Sequence, residues 1–307
     1  MFLFFLFSPI SLVSISYSIQ MMSTNGSPES YGTYSNLNLP WEECLDYCTD
    51  SETCMAIANN AGDAVCQVFE IGELQNAKRS YDTEVKLAFK MNMTTCPIDD
   101  TVAGGGYLLG FNSTLRRSTY SGWDITYDNT TEMWNFEATG VTMCQTAGWL
   151  LSMREAGPWC FVMNGGLTDC LTQEQAAEAC STRFNAQISG IQNSAEYDHV
   201  LFWAQTWFSM ASLYGAWMDG IRKPECIGNS SCTGITAFEY SDPLLSTKET
   251  GIRWNPNQPD TTKDCLVFTV NADKSTGIST VPCTSTTSQD GKTCYKGYVC
   301  GTKPKKY

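Results

Sequence analysis

The chain has 307 residues and a formal charge of −13, with 32 acidic and 19 basic side chains. A surface this acidic repels phosphate groups, which excludes nucleic acid and anionic lipid as expected partners. Disorder is excluded as well, because 42% of the residues are apolar and 12% are aromatic. His199 is the only histidine, so a two-histidine metal site cannot form. At roughly 150 residues per domain, the length predicts two domains.

The first 18 residues have the pattern of a secretory signal peptide. They open with the apolar run MFLFFLFSPISLVSIS, which is too short for a membrane span of about 20 residues. Small residues, Ser14 and Ser16 or Ser16 and Ser18, have the spacing that signal peptidase reads. We expect a signal peptide over residues 1–18, with a retained membrane anchor as the alternative. No second apolar run follows, so a secreted, extracellular product without stable membrane insertion is expected.

The 15 cysteines fit an oxidising compartment, in which most of them pair. Asn-x-Ser/Thr triplets, the acceptor pattern for N-glycosylation, fit the same secretory route. We predict glycosylation at Asn92, Asn112, Asn129 and Asn229.

The first cysteine cluster predicts a short helix and a small sheet. Residues 40–48, PWEECLDYC, form a helix with Cys44 and Cys48 on one face. Two β-like runs around a polar turn follow in residues 54–71, and residues 85–91, VKLAFKM, alternate as a half-buried strand does. A helix clipped to a sheet by nested disulfides fits this spacing. The pairs that we predict are Cys44 with Cys66 and Cys48 with Cys54.

This order of elements, closed by LAFK and then TCP, resembles the PAN/apple-like module that precedes lectin domains in secreted invertebrate proteins. The resemblance covers residues 30–97. The chain differs from many relatives in having no cysteine before the helix, which leaves Cys96 without an obvious partner. Two alternatives stay open: Cys96 is exposed and links two chains in a disulfide-linked dimer, or it is a buried free thiol.

Residues 98–143 are predicted to be a linker that contains a β-hairpin. They contain no cysteine and have three consecutive glycines near their start. Residues 122–136, GWDITYDNTTEMWNF, place large side chains on both sides of a polar turn. Because so many exposed aromatic rings would promote aggregation, we expect this hairpin to pack on the domain that follows.

The second cysteine cluster predicts two helices and several strands. One helix is capped by Thr172, with Gln175 three residues later, and another begins near Ser194. Residues 186–191, AQISGI, alternate as an edge strand does. Further motifs follow in the order WMDG (217–220), WNPNQPD (254–260), DCLVFTV (264–270), STVPC (279–283) and YVCG (298–301).

Residues 144–302 resemble a C-type lectin-like domain in the order of these motifs, including Glu196 in the second helix. The resemblance implies an α+β fold with two helices, antiparallel sheets and a long loop, stabilised by many disulfides. It also implies bridges between Cys180 and Cys300, Cys265 and Cys283, and Cys144 and Cys160. Cys226 and Cys232 would then close a local loop, and Cys170 and Cys294 are the remaining pair. Spacing alone leaves other pairings open.

The resemblance also implies a ligand loop, with Trp254, Gln258 and Asp260 as candidate ligand-binding residues. Sugar-binding relatives hold Ca²⁺ there, and Gln258-Pro259-Asp260 matches the galactose-preferring version of the loop. The other positions, Lys263, Ser279 and Thr280, replace the acidic or amide ligands. Because calcium needs about six to eight oxygen ligands, we expect a degenerate calcium site with no metal and no other cofactor.

These observations predict a secreted recognition protein whose ligand is a glycan or an extracellular protein. By resemblance, the leading hypothesis is a carbohydrate-binding C-type lectin that acts in surface recognition or innate defence. The alternative is a calcium-independent protein-binding or structural extracellular module. No enzyme is expected, because the second helix, which carries Glu196, offers no nucleophile and no oriented base. His199 in the same helix is more readily explained as a solvated or hydrogen-bonded side chain.

Overall fold

The computed structural model divides the chain into two compact units. The first holds the described residues up to Met143 together with Lys305 and Lys306, and the second is Cys144–Pro304. The residues described are 19–59, 65–92, 101, 103–115, 117–165, 169–208, 214–245, 251–271 and 273–306. The predicted signal peptide, residues 1–18, and Cys96 lie outside them. No helix in the described ranges is long and apolar enough to cross a membrane.

The first unit consists of one helix and one ten-stranded sheet among its described residues. The helix is α1 (Trp41–Asp50). The strands are β1 (Ile19–Tyr31), β2 (Ser35–Leu37), β3 (Cys54–Asn59), β4 (Cys66–Glu70), β5 (Leu74–Arg79), β6 (Lys86–Asn92), β7 (Gly104–Asn112), β8 (Arg117–Asp128), β9 (Met133–Met143) and β18 (Lys305–Lys306). Their order is β2-β4-β3-β6-β1-β5-β9-β8-β7, and β18 pairs with β9.

Strand β1 joins the two parts of this sheet. Its residues 19–25 pair with β6, and its residues from Gly26 onward pair with β5. The sequence prediction placed the start of this module near residue 30 and missed β1, because the strand contains an Asn-Gly and a Ser-Pro dipeptide, which are typical of turns. The strand accommodates Pro28 because its register shifts there.

Helix α1 is attached to the sheet by two disulfides. Cys44 and Cys48 are buried, one turn apart on the same face of the helix. Cys44 is bonded to Cys66 on β4, and Cys48 is bonded to Cys54 on β3. These are the pairs that the cysteine spacing predicted.

The residues predicted as a linker form β7, β8 and β9 of the first unit. The hairpin of β8 and β9 was expected on the following domain. It instead extends the sheet of the first unit, because β9 pairs with β5. Trp134 and Phe136 are buried in the same core as Phe89, with ring centroids 6.1 and 5.3 Å from the Phe89 ring. Pairing with the edge of β5 satisfies backbone hydrogen bonds and buries these rings at once.

The second unit packs two helices on an eight-stranded sheet, as its described residues show. The helices are α2 (Gln173–Phe184) and α3 (Ser194–Phe208). The strands are β10 (Leu150–Arg154), β11 (Gly157–Asn164), β12 (Gln187–Ile188), β13 (Tyr214–Arg222), β14 (Phe238–Glu239), β15 (Cys265–Val270), β16 (Thr276–Val281) and β17 (Cys294–Thr302). The main order is β10-β11-β17-β13-β15-β16, in which only β13 and β17 are parallel.

Local signals define the ends of α2. The Thr172 hydroxyl accepts a hydrogen bond from the Gln175 N–H, and the Gln175 side chain accepts one from the Thr172 N–H. This is the predicted capping box, which satisfies two backbone donors at the start of the helix. Asn185 ends the helix in the left-handed conformation, with φ of 48°. The strand predicted at residues 186–191 is shorter than expected, because only Gln187 and Ile188 pair with β17.

Five disulfides link described residues of the second unit, so the fold is rich in disulfides and combines helices with predominant sheet. The core contains residues of α3, such as Tyr197 and Val200, against Phe161 of β11, Met218 of β13 and Phe268 of β15. The bridges are Cys144–Cys160, Cys170–Cys294, Cys180–Cys300, Cys226–Cys232 and Cys265–Cys283. They join the same residues that the sequence analysis paired.

Candidate functional site

Residues 254–264 form a loop, the 254–264 loop, that directly precedes β15. The first residues of this loop are hydrogen-bonded to the sheet. The Asn255 N–H donates to the Ile278 carbonyl oxygen at 3.0 Å. The Asn255 amide nitrogen donates to the hydroxyls of Thr269 and Ser279 at 2.7 and 2.8 Å. These bonds to β15 and β16 fix the loop in position, and they occupy Ser279, one of the predicted substitutes for a calcium ligand.

The structure brings Gln258, Asp260 and Thr280 together through direct hydrogen bonds. The Gln258 side-chain oxygen accepts from the N–H and the hydroxyl of Thr280 at 2.9 and 2.7 Å, and from the Asp260 N–H at 3.1 Å. A carbonyl oxygen has two lone pairs, so these three donors saturate it. Gln258 is therefore engaged within the protein and has no lone pair left for a metal ion or a sugar hydroxyl.

The Asp260 carboxylate is also engaged by its own loop. One oxygen accepts hydrogen bonds from the Thr262 N–H and hydroxyl at 2.9 and 2.8 Å. These bonds, together with the nearby charges of Lys263 and Arg222, hold the pKa of Asp260 below its ordinary value. Asp260 is consequently ionised, and its charge is balanced by cations of the protein itself.

Arg222 belongs to this site and was not among the residues that the sequence analysis named. It is the last residue of β13 and only 2% exposed. Its guanidinium donates to the Lys263 and Asp260 carbonyl oxygens at 2.6 and 2.9 Å and lies 4.6 Å from the centre of the Phe238 ring. Burial lowers the pKa of Arg222, while the Asp260 and Asp264 charges oppose that effect. The one sequence signal was a basic residue two positions after the WMDG motif.

The residues of this site do not fit a calcium ion. Arg222 binds two carbonyl oxygens of the loop, Lys263 adds a second positive charge, and the Gln258 oxygen is saturated. Within the described residues, no three His, Cys, Asp or Glu side chains form a group that could hold a metal ion. A cation placed among these groups would face repulsion and would lack most of the oxygens that calcium needs.

Trp254 packs against the core at the start of the loop. It is partly buried, and its ring lies beside that of Phe238, with centroids 6.3 Å apart and planes inclined by 28°. Two well-exposed apolar residues are neighbours of the loop through backbone pairing. Ile221, 49% exposed, pairs with Cys265 directly after the loop, and Ile227 is 56% exposed. Ile227 precedes Gly228, whose N–H donates to the Thr261 carbonyl oxygen at 2.8 Å.

A buried charge network lies elsewhere in the second unit. The Arg154 guanidinium donates to Glu196 of α3 at 2.8 Å and to Asp242 at 2.7 Å, and all three side chains are fully buried. Burial lowers the pKa of Arg154, but the two carboxylates outweigh it and raise the pKa. Ser189 donates to the same Asp242 oxygen, and the Trp159 indole donates to Ser189 at 3.1 Å. The network therefore joins α3, β10 and the segment after β12.

Asp219 extends this network from the bulge of β13. Its carboxylate accepts from the Asp242 N–H at 2.7 Å and from the Ser241 hydroxyl at 3.1 Å. Burial raises the pKa of Asp219 to about 6, although these hydrogen bonds act in the opposite direction. The pKa shift follows from burial, and both oxygens of the carboxylate are hydrogen-bonded within the protein.

His199 accepts a hydrogen bond from the Trp203 indole at 3.0 Å through Nε2. Burial lowers the pKa of His199 to about 4, so the side chain is neutral at physiological pH. The engaged nitrogen is not free to accept a proton from a substrate.

The sequon asparagines differ in exposure. Asn129 and Asn229 are exposed, whereas Asn92 and Asn112 are partly buried. The Asn112 side-chain oxygen accepts from the Leu115 N–H at 2.8 Å. Glycosylation of all four stays a prediction.

Comparison with known proteins identifies a PAN-like domain at residues 21–91. The match includes most of β1, which the sequence analysis had left outside the module. No curated protein sequence matches the chain.

The chain is also similar in structure to human lithostathine. One lithostathine structure shares 17% identity over 51% of this chain and 88% of its own, with a TM-score of 0.35. A second shares 16% identity over 51% of this chain and 97% of its own, with a TM-score of 0.33. Disulfide-rich units with a PAN-like domain are typical of extracellular proteins.

Proposed function

We propose that this chain is a secreted, non-catalytic recognition protein with a C-type lectin-like second unit, and that its 254–264 loop binds an extracellular protein without calcium. The order of two helices, the sheet and the bridges Cys180–Cys300 and Cys265–Cys283 supports the C-type lectin-like assignment. Secretion is supported by the seven disulfides among the described residues, which need an oxidising compartment.

The hydrogen bonds inside the loop support the proposal that it binds its ligand without calcium. Arg222 and Thr280 make the contacts that shape the backbone and saturate Gln258. The loop therefore has a defined structure without a metal. The exposed Ile221 and Ile227 favour a protein as the ligand, because desolvated apolar side chains contribute strongly to protein interfaces.

A glycan is the second candidate. The ionised Asp260 and the partly exposed Trp254 are the side chains that favour it, as an acceptor for sugar hydroxyls and a surface for a sugar face. In this case, binding would also occur without calcium.

The test is to screen the secreted chain on a glycan array and on a panel of extracellular protein domains, each with calcium and with EDTA. We expect binding to a protein domain that survives EDTA and is lost in Ile227→Asp, while Leu115→Asp, an exposed substitution in the first unit, has no effect. Glycan binding abolished by EDTA would contradict the proposal. Glycan binding that resists EDTA and is lost in Asp260→Asn would establish the second candidate.

A further inference from the structure

The turn after β1 exposes a run of tyrosine and small polar side chains. Residues 30–36 read Ser-Tyr-Gly-Thr-Tyr-Ser-Asn, and all seven are exposed. We call this segment the tyrosine loop. Tyr31 is 42% exposed and Tyr34 is 39% exposed. Tyr, Ser, Gly and Asn dominate the protein-binding loops of antibodies, because tyrosine offers a large contact area with few rotatable bonds and the small residues form adaptable hydrogen bonds.

The backbone of the tyrosine loop is fixed by one residue of the neighbouring turn. The Gly32 N–H donates to the Glu73 carbonyl oxygen at 2.7 Å, and the Thr33 N–H donates to the Glu73 carboxylate. A side chain at position 32 would meet that carboxylate, so a larger residue there would displace the Glu73 side chain from its bond to Thr33. The loop therefore has its shape before any partner binds.

The two exposed rings rest on a buried one. The ring centroids of Tyr31, Tyr34 and Phe69 are 5.5 to 5.7 Å apart in all three pairs. Phe69 is fully buried on β4. Rings that are already immobilised lose little entropy on binding, which is the physical advantage of a preorganised contact surface.

The acidic residues near the tyrosine loop favour a basic partner. The chain has nine acidic residues and no Lys, Arg or His before Lys78. Glu29 is exposed next to the loop, and Glu73 contacts it directly. Anionic glycans and other acidic ligands are repelled by these charges, whereas Arg and Lys side chains gain both ion pairing and attraction to the faces of tyrosine rings.

We propose that the tyrosine loop is a binding surface for a basic protein. Arg or Lys side chains of that partner contact the rings of Tyr31 and Tyr34 and are attracted by Glu29 and Glu73. This surface belongs to the first unit and does not depend on the function proposed for the 254–264 loop.

The test measures binding of the full secreted chain to an array of short immobilised peptides that are rich in Arg and Lys, neutral, or acidic. We expect the basic peptides to be retained. The double substitution Tyr31→Ala and Tyr34→Ala should weaken their binding roughly 30-fold, as expected when hot-spot side chains are removed. Tyr81→Ala is the matched control, because Tyr81 is a 78% exposed tyrosine of the same unit outside the loop, and it should leave binding unchanged.

A second variant separates binding from folding. Thr33→Lys keeps both rings and the backbone bond to Glu73 but adds a positive charge to the loop. It should weaken binding of the basic peptides while the melting temperature stays that of the wild type.

Three results would overturn the proposal. The first is no retention of any basic peptide. The second is equal binding of the wild type and the double variant to the basic peptides, which would show that net charge alone attracts these peptides. The third is a neutral glycan, on a parallel glycan array, that requires Tyr31 and Tyr34, which would make the loop a carbohydrate surface.

Discussion

At the level of single residues, the guanidinium of Arg222 lies beneath the 254–264 loop and binds the carbonyl oxygens of Asp260 and Lys263. Buried carbonyl groups need a donor, and a charged donor makes a stronger hydrogen bond than a neutral one. Arg222 thus does for the backbone of the loop what a bound cation would do, and it also balances the charge of Asp260.

We predict that Arg222→Ala lowers the free energy of unfolding by roughly 2 to 4 kcal/mol, because the Lys263 carbonyl oxygen loses its charged donor, the Asp260 carbonyl oxygen loses one of its donors, and a buried side chain is removed. Denaturant unfolding measures the change, and calcium should not restore the loss. Arg253→Ala is the control: Arg253 pairs with Asp198 at 3.3 Å with about half of each side chain exposed, and such a pair contributes less than about 1 kcal/mol. An equal loss in the two variants would show that Arg222 does not support the loop.

The pKa of Asp219 predicts how stability changes with pH. Because burial raises this pKa from 3.8 to about 6, the folded protein binds the proton more tightly than the unfolded chain. The stabilisation that protonation provides is complete below pH 3.8 and is lost as the pH rises to about 6. His199, with its pKa lowered from 6.5 to about 4, changes stability in the opposite direction over an overlapping range.

Asp219→Asn isolates this effect, because an amide does not ionise. Relative to the wild type, the variant should gain roughly 2 to 3 kcal/mol of stability between pH 4 and pH 6 and show no further relative change above about pH 6.5. Urea unfolding at several pH values measures the difference. A difference that is independent of pH would mean that Asp219 does not titrate in this range.

At the level of elements, two long disulfides join α2 and the segment just before it to β17, the last strand of the second unit. Cys170–Cys294 and Cys180–Cys300 span 124 and 120 residues, respectively. Each bridge alone would stabilise the folded state by roughly 4 to 5 kcal/mol, because it lowers the entropy of the unfolded chain. The two bridges are interleaved, because their cysteines follow the order Cys170, Cys180, Cys294 and Cys300 along the chain. Breaking one therefore leaves the ends joined by the other, and only a ring of about 16 residues is opened, which corresponds to roughly 3 kcal/mol.

We therefore predict that Cys180→Ser with Cys300→Ser destabilises the second unit by roughly 3 kcal/mol, and that also replacing Cys170 and Cys294 costs more than the sum of two such losses. Cys226→Ser with Cys232→Ser is the control, because this bridge spans six residues in a surface loop and its loss should reduce secretion least. Secretion yield and thermal unfolding are the measurements. Strictly additive losses would contradict the argument from interleaved bridges.

At the level of the whole molecule, charge is distributed unevenly between the two units. The first has 17 acidic and eight basic residues, and the second has 15 and 11. The first unit is therefore the more anionic, which agrees with a basic partner for the tyrosine loop. The second unit is closer to neutral, and the cations Arg222 and Lys263 at its loop reduce the attraction for a metal ion.

The melting temperature of the intact chain should be the same in millimolar Ca²⁺ and in EDTA. Only a ligand that binds the folded state raises the melting temperature, and the loop has no vacant set of oxygens for calcium. Differential scanning calorimetry under both conditions gives the answer. A rise of several degrees with calcium, absent with magnesium, would contradict this prediction.

Local features of the sequence determined the helices and the bridges Cys44–Cys66 and Cys48–Cys54. The spacing of Cys44 and Cys48 placed both on one helix face, and Thr172 with Gln175 marked the start of α2, because capping and helical periodicity depend on residues only three or four positions apart. The family resemblance then indicated the long pairs, such as Cys180–Cys300, and the residues of the ligand loop.

Only the tertiary structure decided which strands share a sheet and which side chains reach the loop. Strand β1 and the β8–β9 hairpin join β5 through backbone pairing between distant segments, which local patterns do not encode. Arg222 lies 38 residues before Asp260 in the chain, and the pairing of β13 with β15 brings it beneath the loop. Whether Gln258 can hold a metal depended on the donors that folding placed around it, because hydrogen bonds saturate an oxygen whatever the sequence motif.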